Sequence, residues 1–397
     1  MKTQLLKIDR FAMMTGIAFS GIGIVGVVTP AQALTFNFTS ADTALQAAID
    51  GLGTSGSPQT LAANGFKAAG NRWGAIFTDN VTVNINVNFT ALAPGILGST
   101  SSTRQNFSYS QVYNALKNDS NLSADDNKAI GSLSSNPVLS RLINYTADNS
   151  NGSASATPDL YSAGPDTNGN YPLVMELTNA NAKALGLATT GSSDASISFS
   201  STFTFDFNPA DGINNPSNFD FVGLATHEIG HSLGFVSGVD ILDSNINNPS
   251  GPFNASQFRF VRPLDLFRYS TLSTSNNAID WTADTRDKYF SLDGGANSIA
   301  SFSTGQFFGD GQQASHWKDN FGLGIMDPTF TNGELGIISQ NDIRAFDVIG
   351  WNRADAATAV PEPANFIGTF IFAAFGAKMV IKRRKKLLES VEKSTVR

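Results

Sequence analysis

At 397 residues the chain is long enough for one large domain or two lobes around a sizeable core, and its net charge is −7. That charge is unevenly placed: residues 1–33 hold three basic and one acidic residue and 361–397 hold eight and three, which leaves −14 on residues 34–360. So acidic a body excludes nucleic acid as a partner, and the lack of any cysteine excludes a disulfide framework, so the fold must rest on its core and any bound ions.

Met1 to Ala33 has the layout of a secretory signal peptide. Lys2, Lys7 and Arg10 precede an apolar run from Phe11 to Val28, and Ala31-Gln32-Ala33 is a small-x-small cleavage site with Leu34 as the first mature residue. After it a short strand, Thr35 to Phe38, leads to helical segments at Thr43 to Leu52 and Leu61 to Phe77. Val81 to Phe89 has an apolar residue at every odd position, the period of a half-buried strand. Residues 90–107 read as a loop and 108–147 as two or three short helices. Ala147 to Tyr171 is a Gly/Ser/Asn/Asp-rich surface loop; Asp166-Thr-Asn-Gly-Asn170 within it has a partial calcium-loop pattern, but its glycine is misplaced and a plain turn is the reading. Calcium has no other support.

A strand at Leu173 to Leu177, a helix at Asn179 to Leu187 and a second alternating strand from Ala195 to Phe207 follow. Asp220 then caps a helix from Phe221 to Leu233, which Gly234 ends. This helix carries Thr226-His227-Glu228-Ile229-Gly230-His231. Residues four apart share a helix face, so His227 and His231 can offer imidazole nitrogens to one metal ion, with Glu228 placed to work on a water at that metal. The chain has three histidines, and residues 34–360 have three glutamates, Glu176, Glu228 and Glu334. Two of those histidines and one glutamate meet at this spacing, which points to zinc.

A catalytic zinc takes three protein ligands and keeps a fourth position for water. A compact H-E-x-x-H-x-x-G-x-x-H motif would put the third ligand at 237, which is Ser237, a poor ligand. A downstream glutamate is missing, since none lies between Glu228 and Glu334. Asp240 and Asp243 remain open, and His316 is the best candidate. It lies in Ala314-Ser-His-Trp-Lys-Asp-Asn-Phe-Gly-Leu-Gly-Ile-Met-Asp-Pro328.

A HExxHxxGF helix, a long insertion, Ser315-His316-Trp317 and Met326 ten residues later together resemble the leishmanolysin branch of the metzincin metallopeptidases. The resemblance covers about 227–235 and 314–328. It implies His227, His231 and His316 as zinc ligands, Glu228 as the catalytic base and Met326 as the Met-turn. It also implies an α+β metzincin-like fold over 34–351: an upper lobe of about 34–234 with a mixed twisted sheet and the motif helix, and a mostly irregular lower lobe of about 235–351 that ends in a helix. Leishmanolysins are cysteine-rich and use a cysteine for latency, which this chain cannot do. No tyrosine follows Met326, so a fifth tyrosine ligand is not expected. A protein or peptide is the expected substrate, and either alternating strand, Val81 to Phe89 or Ala195 to Phe207, could be the cleft edge that pairs with it.

Arg262 to Tyr269 reads as a structural segment of the lower lobe. Ser339 to Ile349 reads as a closing amphipathic helix with Asp342, Arg344 and Asp347 exposed, and Trp351 ends the domain. A linker at 352–360 leads to Val360-Pro-Glu-Pro363, an apolar stretch 366–381 broken by Lys378, and Lys382 to Lys386. The stretch spans roughly 24 Å as a helix, short for a bilayer core of ~30 Å. This tripartite tail resembles the PEP-CTERM sorting signal. The resemblance implies a Gram-negative-type bacterium, transient membrane association, processing by an exosortase-type enzyme, and an extracellular or cell-surface product. Two alternatives to an exported zinc endopeptidase stand: a surface or matrix protein with a structural metal, and a zinc hydrolase of another amide or ester.

Overall fold

Among the described residues the first elements are strand β1 (Thr35–Thr39), helices α1 (Thr43–Ile49) and α2 (Pro58–Gly74) and strand β2 (Thr82–Thr90). β1 and β2 pair in parallel, and parallel strands need a crossover connection, which the two helices supply. Next come β3 (Gly98–Ser102), β4 (Arg104–Ser108), α3 (Tyr109–Lys117), α4 (Ala124–Ser132), β5 (Leu139–Ile143), β6 (Asp159–Ala163), β7 (Val174–Thr178), α5 (Asn179–Ala184) and β8 (Ala195–Ser200). The two-residue strands β9 (Phe205–Asp206) and β10 (Phe219–Asp220) lead into α6 (Phe221–Leu233). Beyond it lie α7 (Val239–Ser244), β11 (Arg268–Tyr269), α8 (Thr271–Ser275), β12 (Ile279–Asp280), β13 (Lys288–Phe290), β14 (Ala300–Phe302) and α9 (Gln340–Asp347). The computed structural model describes residues 34–354 except 120, 137, 146–157, 164–173, 209, 211 and 249–259. The leader, the Asp166–Asn170 pattern, and the tail with its apolar stretch 366–381 therefore lie outside the described residues. Among the described residues no helix is long and apolar enough to cross a membrane.

The fold is α+β with open sheets. Its largest sheet has the order β1-β2-β8-β3, with β1, β2 and β8 parallel and β3 antiparallel at the edge. β2 buries Val83, Ile85 and Val87 and leaves the asparagines between them half-buried, as its alternation requires. The strand expected over Ala195 to Phe207 stops at Ser200. β2 ends at Thr90, whose carbonyl takes the Ser201 N–H at 2.8 Å, and among the described residues no strand of this sheet pairs with the chain beyond that point. Phe205 is buried and Phe207 half-buried, their rings 5.4 and 4.6 Å from that of Phe221. Phe205–Asp206 form β9, which pairs in parallel with β10 in a separate two-stranded sheet, so the apolar pattern runs on past β8 but not within one strand.

Neither alternating strand is a cleft edge, since β2 and β8 are both interior. The edges are β1 and β3, and β3 lies within the span expected to be a loop. Its sequence, GSTSS, has no apolar alternation to reveal it. At the two ends of β3, the Leu97 carbonyl accepts the Ser200 N–H of β8 and the Thr103 N–H bonds the carbonyl of Asp194, just before β8. In an antiparallel pair the residues between alternate, so Gly98, Thr100 and Ser102 turn their backbone groups away from β8, toward the open edge. β5 is likewise a strand within a span expected to be helical.

α2 and α6 meet in an aromatic cluster against this sheet. The ring of Phe66 lies 5.9, 5.2 and 5.3 Å from those of Phe38, Phe199 and Phe221. A side chain at Gly65 would strike Phe221 at 2.5 Å, so the two helices approach this closely only because position 65 has none. Trp73 donates its indole N–H to the Thr226 carbonyl at 2.9 Å, which ties α2 to the motif helix one residue before His227. Parallel pairing of β12 with β5 builds a second sheet from residues on both sides of 234. Trp351 is buried and donates to the Leu233 carbonyl at 2.8 Å, and beyond it the Ala354 N–H still bonds the Ile76 carbonyl at 2.8 Å.

Candidate metal centre

The motif helix α6 is held at both ends by sequence. The Asp220 carboxylate accepts the Gly223 N–H at 2.8 Å, satisfying a donor that the first helical turn leaves open. Gly234 leaves the helix at φ +120°, a conformation that side chains rarely adopt. Every residue of α6 but His231 is buried, and His231 is partly exposed. The helix is a central beam with one polar turn.

His227, His231 and His316 come together although 85 residues separate the last two. Each Nδ1 faces a main-chain carbonyl: Ile325 O at 2.8 Å for His227, Phe235 O at 2.7 Å for His231, and Gln313 O at 3.3 Å for His316. A carbonyl oxygen can only accept, so each Nδ1 carries the proton and each Nε2 is left with a lone pair. The Nε2 of His231 lies 3.1 Å from that of His227 and 3.1 Å from that of His316. Facing lone pairs at that distance repel one another unless a cation lies between them. Two nitrogens on a tetrahedral ion with bonds of about 2.1 Å are roughly 3.4 Å apart, close to the separation seen. Burial holds His227 down to about 4 and His231 to about 3, the latter helped by His227; His316 is also held well below its usual value, by burial and then by the other two rings. All three are neutral at pH 7, the form that binds metal. The donor set fits a metal ion.

His316 is delivered by a braced segment. Asp240, an alternative ligand from sequence, accepts the Ala314 N–H at 2.7 Å and so holds the chain just before His316. Asp243 accepts the Phe307 and Phe308 N–H groups at 2.8 and 3.0 Å. Neither carboxylate joins the histidine group. Ser237 donates to Asp265 at 2.6 Å, which occupies it elsewhere. Asp265 also takes the Arg262 and Gly238 N–H groups and the Trp281 indole, so the Arg262–Tyr269 segment is structural as expected. Trp317 packs its ring on Phe302 and Phe235, each 4.9 Å away, and its backbone N–H bonds the Met326 carbonyl at 2.9 Å.

Asp342, expected on an exposed helix face, is instead buried, and so is Asp347. Asp342 closes a capping box with Ser339 at the start of α9, then accepts the Trp317 indole N–H at 2.8 Å and the Ile325 N–H at 2.9 Å. One carboxylate thus braces the neighbour of His316 and the residue whose carbonyl orients His227. The spacing Ser339-x-x-Asp342 is the signal that could have revealed it.

Glu228 is 5 % exposed, and burial pushes its carboxyl up to about 7 against the lowering effect of the Thr100 hydroxyl. Thr100 Oγ lies 2.6 Å from Glu228 Oε2, and a side chain at Gly98 would lie 2.7 Å from Oε1. Nothing in GSTSS marks either residue in the sequence. Met326 is buried against the motif helix, where a side chain at Gly230 would meet its sulfur at 2.5 Å and Phe346 at 3.5 Å. Gly230→Ala gains up to ~1 kcal/mol of helix propensity but overpacks a filled site at about 1–3 kcal/mol. A net loss of about 1 kcal/mol is expected, read as a lower Tm; an equal or higher Tm would show slack around Met326. No protein-family model matches the chain, and neither do any curated proteins or solved structures.

Proposed function

We propose that the protein is an exported zinc endopeptidase of the leishmanolysin-like metzincin type. The observation that carries this reading is the convergence of three neutral, lone-pair-bearing imidazoles beside a buried carboxylate that is not one of the ligands. A purely structural metal has no use for such a carboxylate. His227, His231 and His316 would hold the ion. When bound, zinc supplies a Lewis acid that polarises a carbonyl and acidifies water.

The remaining steps belong to the chain's own groups. Glu228 accepts the proton of the attacking water and passes it to the leaving amine nitrogen. With a cation held by His227, His231 and His316, the Glu228 carboxylate would be favoured in its ionised form, the form that accepts a proton. The outward backbone of β3 pairs with an extended peptide, and this main-chain pairing favours a peptide over a small amide or ester. Export is supported by the leader's charge, apolar run and cleavage pattern, and an exosortase-type partner by the tail.

Metal analysis and a peptide-library digest test the reading together. One zinc per chain is expected, with cleavage abolished by a chelator and restored by zinc. His316→Ala is expected to lose stoichiometric zinc. Retained zinc in that variant removes His316 from the ligand set, and zinc without peptide cleavage redirects the site to another amide or ester.

A further inference from the structure

Thr100, half-buried at the centre of the edge strand, places its hydroxyl 2.6 Å from Glu228 Oε2 and 2.9 Å from the Glu228 main-chain carbonyl. One hydroxyl proton serves two acceptors of the same residue, a shared bond that spans the whole side chain. Moving the carboxylate breaks one arm of this bridge, so the bridge fixes the Glu228 side chain relative to the helix. Gly98, two residues earlier and hence on the same strand face, leaves bare backbone where a side chain would crowd Oε1. The strand thus constrains both carboxylate oxygens, one by a hydrogen bond and one by close approach.

We propose that Thr100 is the positioning residue for the proton-transfer group. It holds the Glu228 carboxylate in a single rotamer from the strand that is offered to substrate. This rests on the reading of Glu228 as the proton carrier. Thr100 also turns its own backbone N–H and C=O to the open edge. A peptide that pairs there is registered against the carboxylate through one residue, and neither His227 nor His231 takes part in that alignment.

Valine keeps the shape of threonine without the hydroxyl, while serine keeps the hydroxyl without the methyl, so the two variants separate the bond from the packing. Full chains of wild type, Thr100→Val and Thr100→Ser are compared, zinc-loaded, for kcat, KM and zinc content, and as crystal structures without metal. Thr100→Val is expected to lower kcat by about 10- to 100-fold with KM within about twofold and zinc content unchanged, and to release Glu228 from its rotamer. Thr100→Ser is expected to keep the carboxylate in place and to recover kcat to within about threefold of wild type. An unmoved Glu228 in Thr100→Val, or kcat equally low in both variants, overturns the proposal. If wild type cleaves no peptide, the peptidase reading fails, and the crystallographic comparison alone decides the role of Thr100.

Discussion

Glu228→Gln is expected to lower peptide hydrolysis by about 10³- to 10⁴-fold while one zinc per chain stays bound. Glutamine has the size and shape of glutamate, and its amide oxygen can still accept the Thr100 hydroxyl, so the site keeps its form. It cannot take a proton at neutral pH. The three Nε2 donors are untouched, because Glu228 is not one of the histidine group. Glu228 is buried and its carboxyl raised, so removing the ionisable group should leave the Tm of the metal-free protein equal or slightly higher. Zinc analysis, steady-state hydrolysis and a melting curve on one preparation check all three points. Activity within tenfold of wild type would remove Glu228 from the chemistry and with it the peptidase mechanism.

Asp342→Ala should be the most destabilising single change near the site, at about 4 kcal/mol, and it should weaken zinc binding as well. Its carboxylate accepts four N–H groups: the Trp317 indole at 2.8 Å, and the backbones of Ile325, Met326 and Ser339 at 2.9, 3.3 and 2.6 Å. Trp317 and Met326 are both buried, so alanine leaves donors that water reaches poorly, each costing roughly 1–3 kcal/mol. The loosened segment also carries the Ile325 carbonyl that orients His227, and it follows His316 directly. Orienting partners of this kind typically contribute 10- to 100-fold in metal affinity. Asp342→Asn keeps one acceptor oxygen and should fall between wild type and alanine. Urea unfolding and a zinc-competition titration measure the two effects; a loss below about 1 kcal/mol would show that the donors find other partners.

The histidine group was more legible in the sequence than the sheet that frames it. Helical spacing places His227, Glu228 and His231 without tertiary information, and elimination at Ser237 and downstream of Glu228 leads to His316, which joins the other two in space. Asp220 and Gly234 bound the helix as their cap chemistry predicts. What stayed hidden depends on contacts across the chain. β3 is a strand because β8 offers it a partner, and β8 stops at Ser200 where its pairing with β2 ends, although phenylalanines continue the alternation through β9 to Phe207. Asp342 and Asp347 belong to a helix whose apolar residues suggest one buried face, yet tertiary acceptor roles bury the acids too. Asp240 has a carboxylate suited to metal and spends it on the Ala314 N–H, a choice that no local pattern records.

The separation of His231 from His316 by 85 residues sets an order of events for a chain that appears N-terminus first. Two imidazoles exist together as soon as α6 forms, since they lie one helical turn apart. The third arrives only after a long loop has closed, and closing it costs entropy that local contacts cannot recover. The brace for that third residue, Asp342, comes later still, in the last helix described. The nascent polypeptide therefore passes its unfolded stage with an incomplete histidine group. On the proposed peptidase reading, activity would switch on only with the completion of the fold, a safeguard against self-digestion that needs no cysteine.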